Sequence, residues 1–207
     1  IDGFEMTSRL IGEFNAYNLL VVFAVAKSLG EEALTVLTII SNLKAPDGRF
    51  EYIVSPRNVT AVIDYAHTPD ALENVLKTLV SLKSDNEKIF TVFGCGGDRD
   101  KGKRPLMGEI SSVYSDRVIV TSDNPRSEKP SEIIKEIISG IPKSKSSKVL
   151  TVQERRQAIK VACELAESGD VILIAGKGHE KYQIIGDEKL HFDDLETTIE
   201  IFKQIQQ

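Results

Sequence analysis

Hydrophobic positions along this chain follow two different rhythms. Over residues 15–29 they fall on most sides of a helical wheel and stop at Gly30; Leu34, Leu37, Ile40 and Leu43 then recur at helical spacing. The pattern predicts two buried helices. Ala45, Pro46, Asp47 and Gly48 interrupt it as a turn or linker, and a domain boundary there divides residues 1–47 from 48–207.

Beyond Gly48, short apolar runs alternate with amphipathic stretches. Strands are predicted over 50–54, 59–65, 88–93, 117–121, 148–152 and 171–175, helices over 69–82, 105–114, 130–138, 154–167 and 195–203, and a hairpin over 182–190. Strand and helix in alternation imply right-handed crossovers and an α/β fold. The all-apolar runs Val118-Ile119-Val120 and Val171-Ile172-Leu173-Ile174 suit strands covered on both faces. The expected architecture is a mostly parallel sheet with helices on both faces and an antiparallel edge supplied by the hairpin.

Composition narrows the class of protein. The 207 residues are 41% hydrophobic, enough to bury a core, and the net charge of -5 argues against an electrostatic nucleic-acid binder. Two cysteines, Cys95 and Cys163, make no disulfide framework, and no signal peptide or membrane-spanning run is visible, so the expected compartment is the cytoplasm. Cys163 lies on an apolar helix face and reads as core. The chain begins at Ile1 and opens on a polar turn and a helix, so it is expected to be a fragment.

In sheets of this kind, ligand groups sit on loops beyond the carboxyl ends of the strands. Four polar loops occupy such places, at 64–70, 94–104, 122–126 and 176–180, and are expected to converge. The turn Thr121-Ser122-Asp123-Asn124-Pro125-Arg126 is the most telling. Arg126 offers a planar fork suited to a carboxylate, Asp123 an acceptor for an ammonium, and Pro125 restricts its own φ and the conformation of Asn124. A zwitterion clamp has these parts; so does an ordinary loop closed by an Asp–Arg pair.

The other three loops carry their own alternatives. Thr68 and Pro69 read as N-cap and first helical residue, which leaves Asp64 and His67 for binding or for structure. The run Gly94 to Arg104 combines glycines with four basic residues and imitates a dinucleotide-binding turn, but its third glycine is out of place. In Gly176-Lys177-Gly178-His179-Glu180, Glu180 suits an ammonium and Lys177 a phosphate, or the segment is simply a glycine turn into the hairpin. His67, His179, His191 and Cys95 lack metal-ligand spacing, so no metal site is expected.

Taken in order, Gly12-Glu13-Phe14-Asn15-Ala16-Tyr17-Asn18, Gly48-Arg49, residues 64–70, the glycine-rich run 94–108, Asp123 to Arg126 and residues 176–180 resemble the Mur ligases, over nearly the whole chain. The resemblance is strongest to the branch that adds meso-diaminopimelate to UDP-MurNAc-L-Ala-D-Glu in peptidoglycan biosynthesis. It implies ATP- and Mg2+-dependent amide synthesis through an acyl phosphate, by an enzyme with three domains. Residues 1–47 would be the last helices of the central ATP-binding domain plus a linker hinged at 46–48, and 48–207 the C-terminal domain.

Carried over by position, Arg99, Asp123, Asn124, Pro125, Arg126, Gly176 and Glu180 would hold the free end of meso-diaminopimelate, and Asn15, Asn18, Arg49, Asp64 and His67 would contact ATP. Family members that take lysine usually lack the arginine of this turn, which favours diaminopimelate. The chain departs from the pattern by absence: no G-x-x-x-x-G-K-[ST] loop occurs in it, and the family's carbamylated magnesium-binding lysine belongs to another region. No catalytic residue is therefore expected in this chain, and no turnover by it alone. A monomer is expected. The alternatives are a domain of a dinucleotide-dependent oxidoreductase and a non-catalytic module that binds an amino acid or anion.

Overall fold

Ile1 and residues 3–205 are described by the structure, a computed structural model. The chain forms two compact units that meet between Pro46 and Asp47. In the first, α1 (Glu13–Ser28) and α2 (Ala33–Ser41) share a core of Leu19, Phe23, Val36, Leu37 and Ile40. Glu32 caps α2 by accepting from the N–H groups of Leu34 and Thr35. The expectation of fully buried helices is corrected here: Val21, Val22 and Val25 of α1 and Leu34 and Ile39 of α2 are exposed. Two helices offer each other one stripe apiece, so a helix apolar on most faces cannot bury them all within such a unit.

The second unit runs β1 (Glu51–Val54), β2 (Thr60–Asp64), α3 (Pro69–Leu82), β3 (Ile89–Phe93), α4 (Lys103–Tyr114), β4 (Arg117–Val120) and α5 (Pro130–Ser139). It continues through a 3-10 turn (Lys143–Lys148), β5 (Val149–Thr151), α6 (Arg155–Leu165), β6 (Val171–Ala175), β7 (Tyr182–Ile185), β8 (Glu188–His191) and α7 (Asp194–Gln204). The six-stranded sheet has the order β1-β2-β6-β3-β4-β5, parallel except for the β1–β2 pair. Helices α3, α4 and α5 pack side by side, and α6 and α7 pack on each other.

Period-two alternation explains the two layers. Phe90, Val92, Ile119, Ile172 and Ile174 join Ala158, Ile159, Ala162 and Cys163 of α6 and Ile201 and Phe202 of α7 in one core. The intervening positions, among them Ile89, Phe93, Val118, Val120 and Leu173, are buried as well. Thr68 and Pro69 start α3 as expected, the Thr68 hydroxyl accepting from the Ala71 N–H.

Two details differ from the sequence pattern. The antiparallel edge of the main sheet is β1, whereas β7 and β8 form a sheet of their own. Every residue of β8 is exposed whereas Tyr182, Gln183 and Ile184 of β7 are partly buried, and the hairpin pairs with the turn after β4 through an Arg126–Ile185 bridge. The polar 3-10 turn was invisible because it carries no apolar period.

Register decides where the loops emerge. Asp64 is opposite Ala175, Ala175 opposite Phe93, and Phe93 opposite Val120, so β2, β6, β3 and β4 end level. Their loops leave the sheet side by side, with residues 176–180 between 64–70 on one flank and 94–104 on the other. Among the described residues no helix is long and apolar enough to cross a membrane.

Candidate active site

The turn after β4 is built around Asn124, which is buried. Its Oδ1 accepts from Lys177 Nζ at 3.0 Å and from the Ile184 N–H at 2.9 Å, and its Nδ2 donates to Glu180 Oε2 at 2.9 Å. With both lone pairs of Oδ1 occupied, the amide has one orientation, and that orientation points its N–H at Glu180. Glu180 thereby keeps one oxygen bound and presents the other.

Arg126 follows Asn124 and Pro125 in the same turn. It has φ 52, a left-handed backbone that costs a non-glycine residue about 1 kcal/mol or more. Two hydrogen bonds to the hairpin hold it there: Arg126 N–H to Ile184 O at 3.1 Å, and Gly186 N–H to Arg126 O at 2.9 Å. Its Nη1 donates to Gly97 O at 2.8 Å. Among the described residues Nε and Nη2 make no hydrogen bond, so one edge of the half-buried guanidinium is unpaired.

Close backbone approach locks this flank. A Cβ on Gly97 would collide with the Pro125 carbonyl oxygen, and the Gly97 N–H donates to Asn124 O at 2.9 Å. Gly176, at φ 113, brings its backbone against Asp123, where a Cβ would sit 2.9 Å from Oδ2. Beneath the loop, buried Arg104 donates to both oxygens of Glu128 at 2.9 Å and to Glu136 at 2.7 Å. That pairing holds the Glu128 carboxyl down at about 2.

The other flank is aromatic and cationic. The Arg49 guanidinium lies 4.7 Å from the Tyr65 ring centroid, and the rings of His67 and His179 lie 4.6 and 5.0 Å from that of Tyr65. Gly48 packs on the backbone of Gly178 and His179, joining this cluster to the central loop. Asp64 shapes it from below, accepting from the Phe50 and Ala66 N–H groups at 2.7 Å each. Burial pushes the Asp64 carboxyl above its usual range, against those two bonds and Arg49.

Asp123, Asn124, Pro125, Arg126, Gly176 and Glu180 come together at one place, and Arg49, Asp64 and His67 gather at another beside it. Arg99 is exposed, its Nη1 donating to Asp98 O at 3.0 Å. Asn15 and Asn18 belong to α1 of the first unit, where Asn15 Nδ2 donates to Ile11 O and Asn18 Nδ2 to Asn15 Oδ1.

Three features depart from the sequence reading. Asp123 and Arg126 do not close the loop as a pair: the ammonium nearest Asp123 is that of Lys177, 3.5 Å from Oδ1. Lys177 is wholly buried, so it does not reach out to a phosphate. Tyr65 and the hairpin residues Gln183 and Ile184, which bond Asp123 O and Asn124 Oδ1, were missed. Tyr65 sits between Asp64 and His67 in a loop that sequence reasoning had singled out; nothing in sequence spacing joins residues 183 and 184 to residues 123 and 124.

Level strand ends and polar loops gathered beyond them define a domain of the α/β class. Residues 48–178 match the family described as Mur ligase, glutamate ligase domain, and the chain belongs to that family. Among curated relatives, the UDP-N-acetylmuramoyl-L-alanyl-D-glutamate--2,6-diaminopimelate ligase of Cytophaga hutchinsonii is 54% identical over 194 residues, covering 94% of this chain and 40% of its own length. That of Bacteroides thetaiotaomicron is 52% identical over 198 residues, covering 96% and 41%. A solved structure of a ligase of the same name superposes with a TM-score of 0.74 at 39% identity, over 99% of this chain and 41% of that one. The chain thus spans about 40% of the length of the curated relatives it matches. Family membership sets aside the oxidoreductase alternative.

Proposed function

We propose that this chain is the amino-acid-binding part of a cytoplasmic, ATP-dependent ligase that joins meso-diaminopimelate to UDP-MurNAc-L-Ala-D-Glu in peptidoglycan biosynthesis. The observation that carries the proposal is that Arg126 and Glu180 both bond to Asn124, one at its carbonyl and the other at its side-chain amide, each with hydrogen-bonding capacity left over. The distal end of diaminopimelate carries one carboxylate and one ammonium. The free edge of Arg126 matches the carboxylate bidentately, and the free oxygen of Glu180 accepts from the ammonium. Asn124, Pro125, Gly97 and Gly176 fix the geometry, Asp123 is held against Lys177, and exposed Arg99 adds a second guanidinium on the loop beside Arg126.

Arg49, Tyr65, His67 and His179 fit a nucleotide polyphosphate: an exposed guanidinium over an aromatic ring, beside the N-terminus of α3. ATP bound there would supply the phosphoryl group that activates the D-glutamate side-chain carboxylate for attack by the amine. Among the described residues no group of three or more His, Cys, Asp and Glu is placed to hold a metal.

The full-length protein tests the proposal by ADP release. The rate is expected to depend on both UDP-MurNAc-L-Ala-D-Glu and meso-diaminopimelate, whereas release that ignores meso-diaminopimelate would contradict it.

A further inference from the structure

Lys177 has no solvent-accessible surface, yet it lies directly under the site. Its ammonium donates to Asn124 Oδ1 at 3.0 Å and stands 3.5 Å from Asp123 Oδ1 and 3.8 Å from Glu180 Oε2. The Tyr182 ring, 5.8 Å away, lies on another side of it. Burial lowers the ammonium's pKa and the Asp123 carboxylate opposes that shift. The other charged groups nearby cancel: buried Arg155 is bound to Asp194 through Nε at 2.8 Å and Nη2 at 2.7 Å.

We infer that Lys177 is a specificity-determining positioning residue, an internal counter-ion that neutralises one of the two carboxylates, Asp123 and Glu180. The inference rests on reading this site as the diaminopimelate pocket. Two uncompensated carboxylates would favour any cationic end group, a plain lysine included. With the Lys177 ammonium in place, one negative charge remains for one ligand ammonium, opposite the Arg126 guanidinium that takes a carboxylate. The site then matches a zwitterionic end and disfavours a purely cationic one. Lys177 also occupies a lone pair of Asn124 Oδ1, which helps fix the amide that orients Glu180. It touches no ligand itself, so its effect reaches the substrate through Asn124, Asp123 and Glu180.

The test uses the full-length ligase as wild type, Lys177→Met, and Lys177→Met combined with Asp123→Asn. For each, kcat/KM is measured with meso-diaminopimelate and with L-lysine. In Lys177→Met the ratio of the two is expected to fall by about tenfold or more in favour of lysine. Removing the Asp123 charge as well restores the balance, so the double variant is expected to recover to within about threefold of wild type. An unchanged ratio in Lys177→Met, or a loss that the second substitution does not reverse, would overturn the inference, because a merely structural lysine would weaken both substrates in proportion.

If Lys177→Met fails to fold, Asp123→Asn alone decides. It leaves the ammonium in excess and should depress lysine use more than diaminopimelate use; an equal fall in both would overturn the inference. A wild-type ligase that turns over diaminopimelate while its ratio ignores these substitutions sinks this inference alone. One that never uses diaminopimelate sinks the functional reading as well.

Discussion

The Arg126 guanidinium donates to the Gly97 carbonyl oxygen at 2.8 Å, tying the turn after β4 to the loop after β3. The backbone repeats the tie in reverse, with the Gly97 N–H bound to Asn124 O. Neither loop can shift without the other, so the direction of the unpaired guanidinium edge depends on a residue 29 positions earlier in the chain.

Gly97→Ala is therefore expected to damage substrate recognition without touching the substrate. Its Cβ would meet Pro125 O, and relieving that contact displaces the turn at a cost of about 1 to 3 kcal/mol. A displacement near 1 Å predicts a loss of up to about a hundredfold in kcat/KM for diaminopimelate in the full-length enzyme. Steady-state kinetics together with a melting curve check this, and wild-type values in both would contradict the interlock.

The Arg104–Glu128 pair predicts a particular dependence of stability on pH. Glu128 has its folded pKa lowered from 4.5 to about 2, so its stabilising contribution is complete above the unfolded value and is lost as pH falls from near 4.5 towards 2. Glu128→Gln leaves buried Arg104 with Glu136 as its remaining carboxylate partner and should cost about 1 to 2 kcal/mol at pH 7. Urea unfolding at a series of pH values should show the gap between wild type and variant closing with acidification; a gap independent of pH would assign the effect to packing.

Asp64 shapes the other flank. Its carboxylate holds the N–H of Phe50, a residue at φ 49, and that of Ala66. Asp64→Ala strands both donors, at about 1 to 3 kcal/mol each where they stay buried. Lower unfolding stability should accompany weaker nucleotide binding; a variant that loses binding at unchanged stability would place Asp64 on the ligand alone.

Much of this fold was legible because its strands are short all-apolar runs between helices with clear stripes, as in Val171–Ala175 between α6 and the glycine turn. The convergence of the loops was legible too, since the parallel pairing of β2, β6, β3 and β4 puts their carboxyl ends on one edge. What escaped the sequence was long-range pairing. The hairpin pattern predicts two strands but does not say that Ile184 will bond Asn124 and Arg126. Nor does a lysine between two glycines announce that it will be buried: Lys177 looks like a loop cation until the fold puts Asp123, Asn124 and Glu180 around it.

The central claim is that Arg126 reads the carboxylate that distinguishes diaminopimelate from lysine, and Arg126→Ala in the full-length enzyme tests it most directly. Loss of a charged, partly buried hydrogen bond predicts that kcat/KM for meso-diaminopimelate falls by about 10- to 100-fold. Lysine, which has no distal carboxylate to lose, should change by no more than about threefold. Unchanged diaminopimelate use, or an equal fall for both amino acids, would contradict the account.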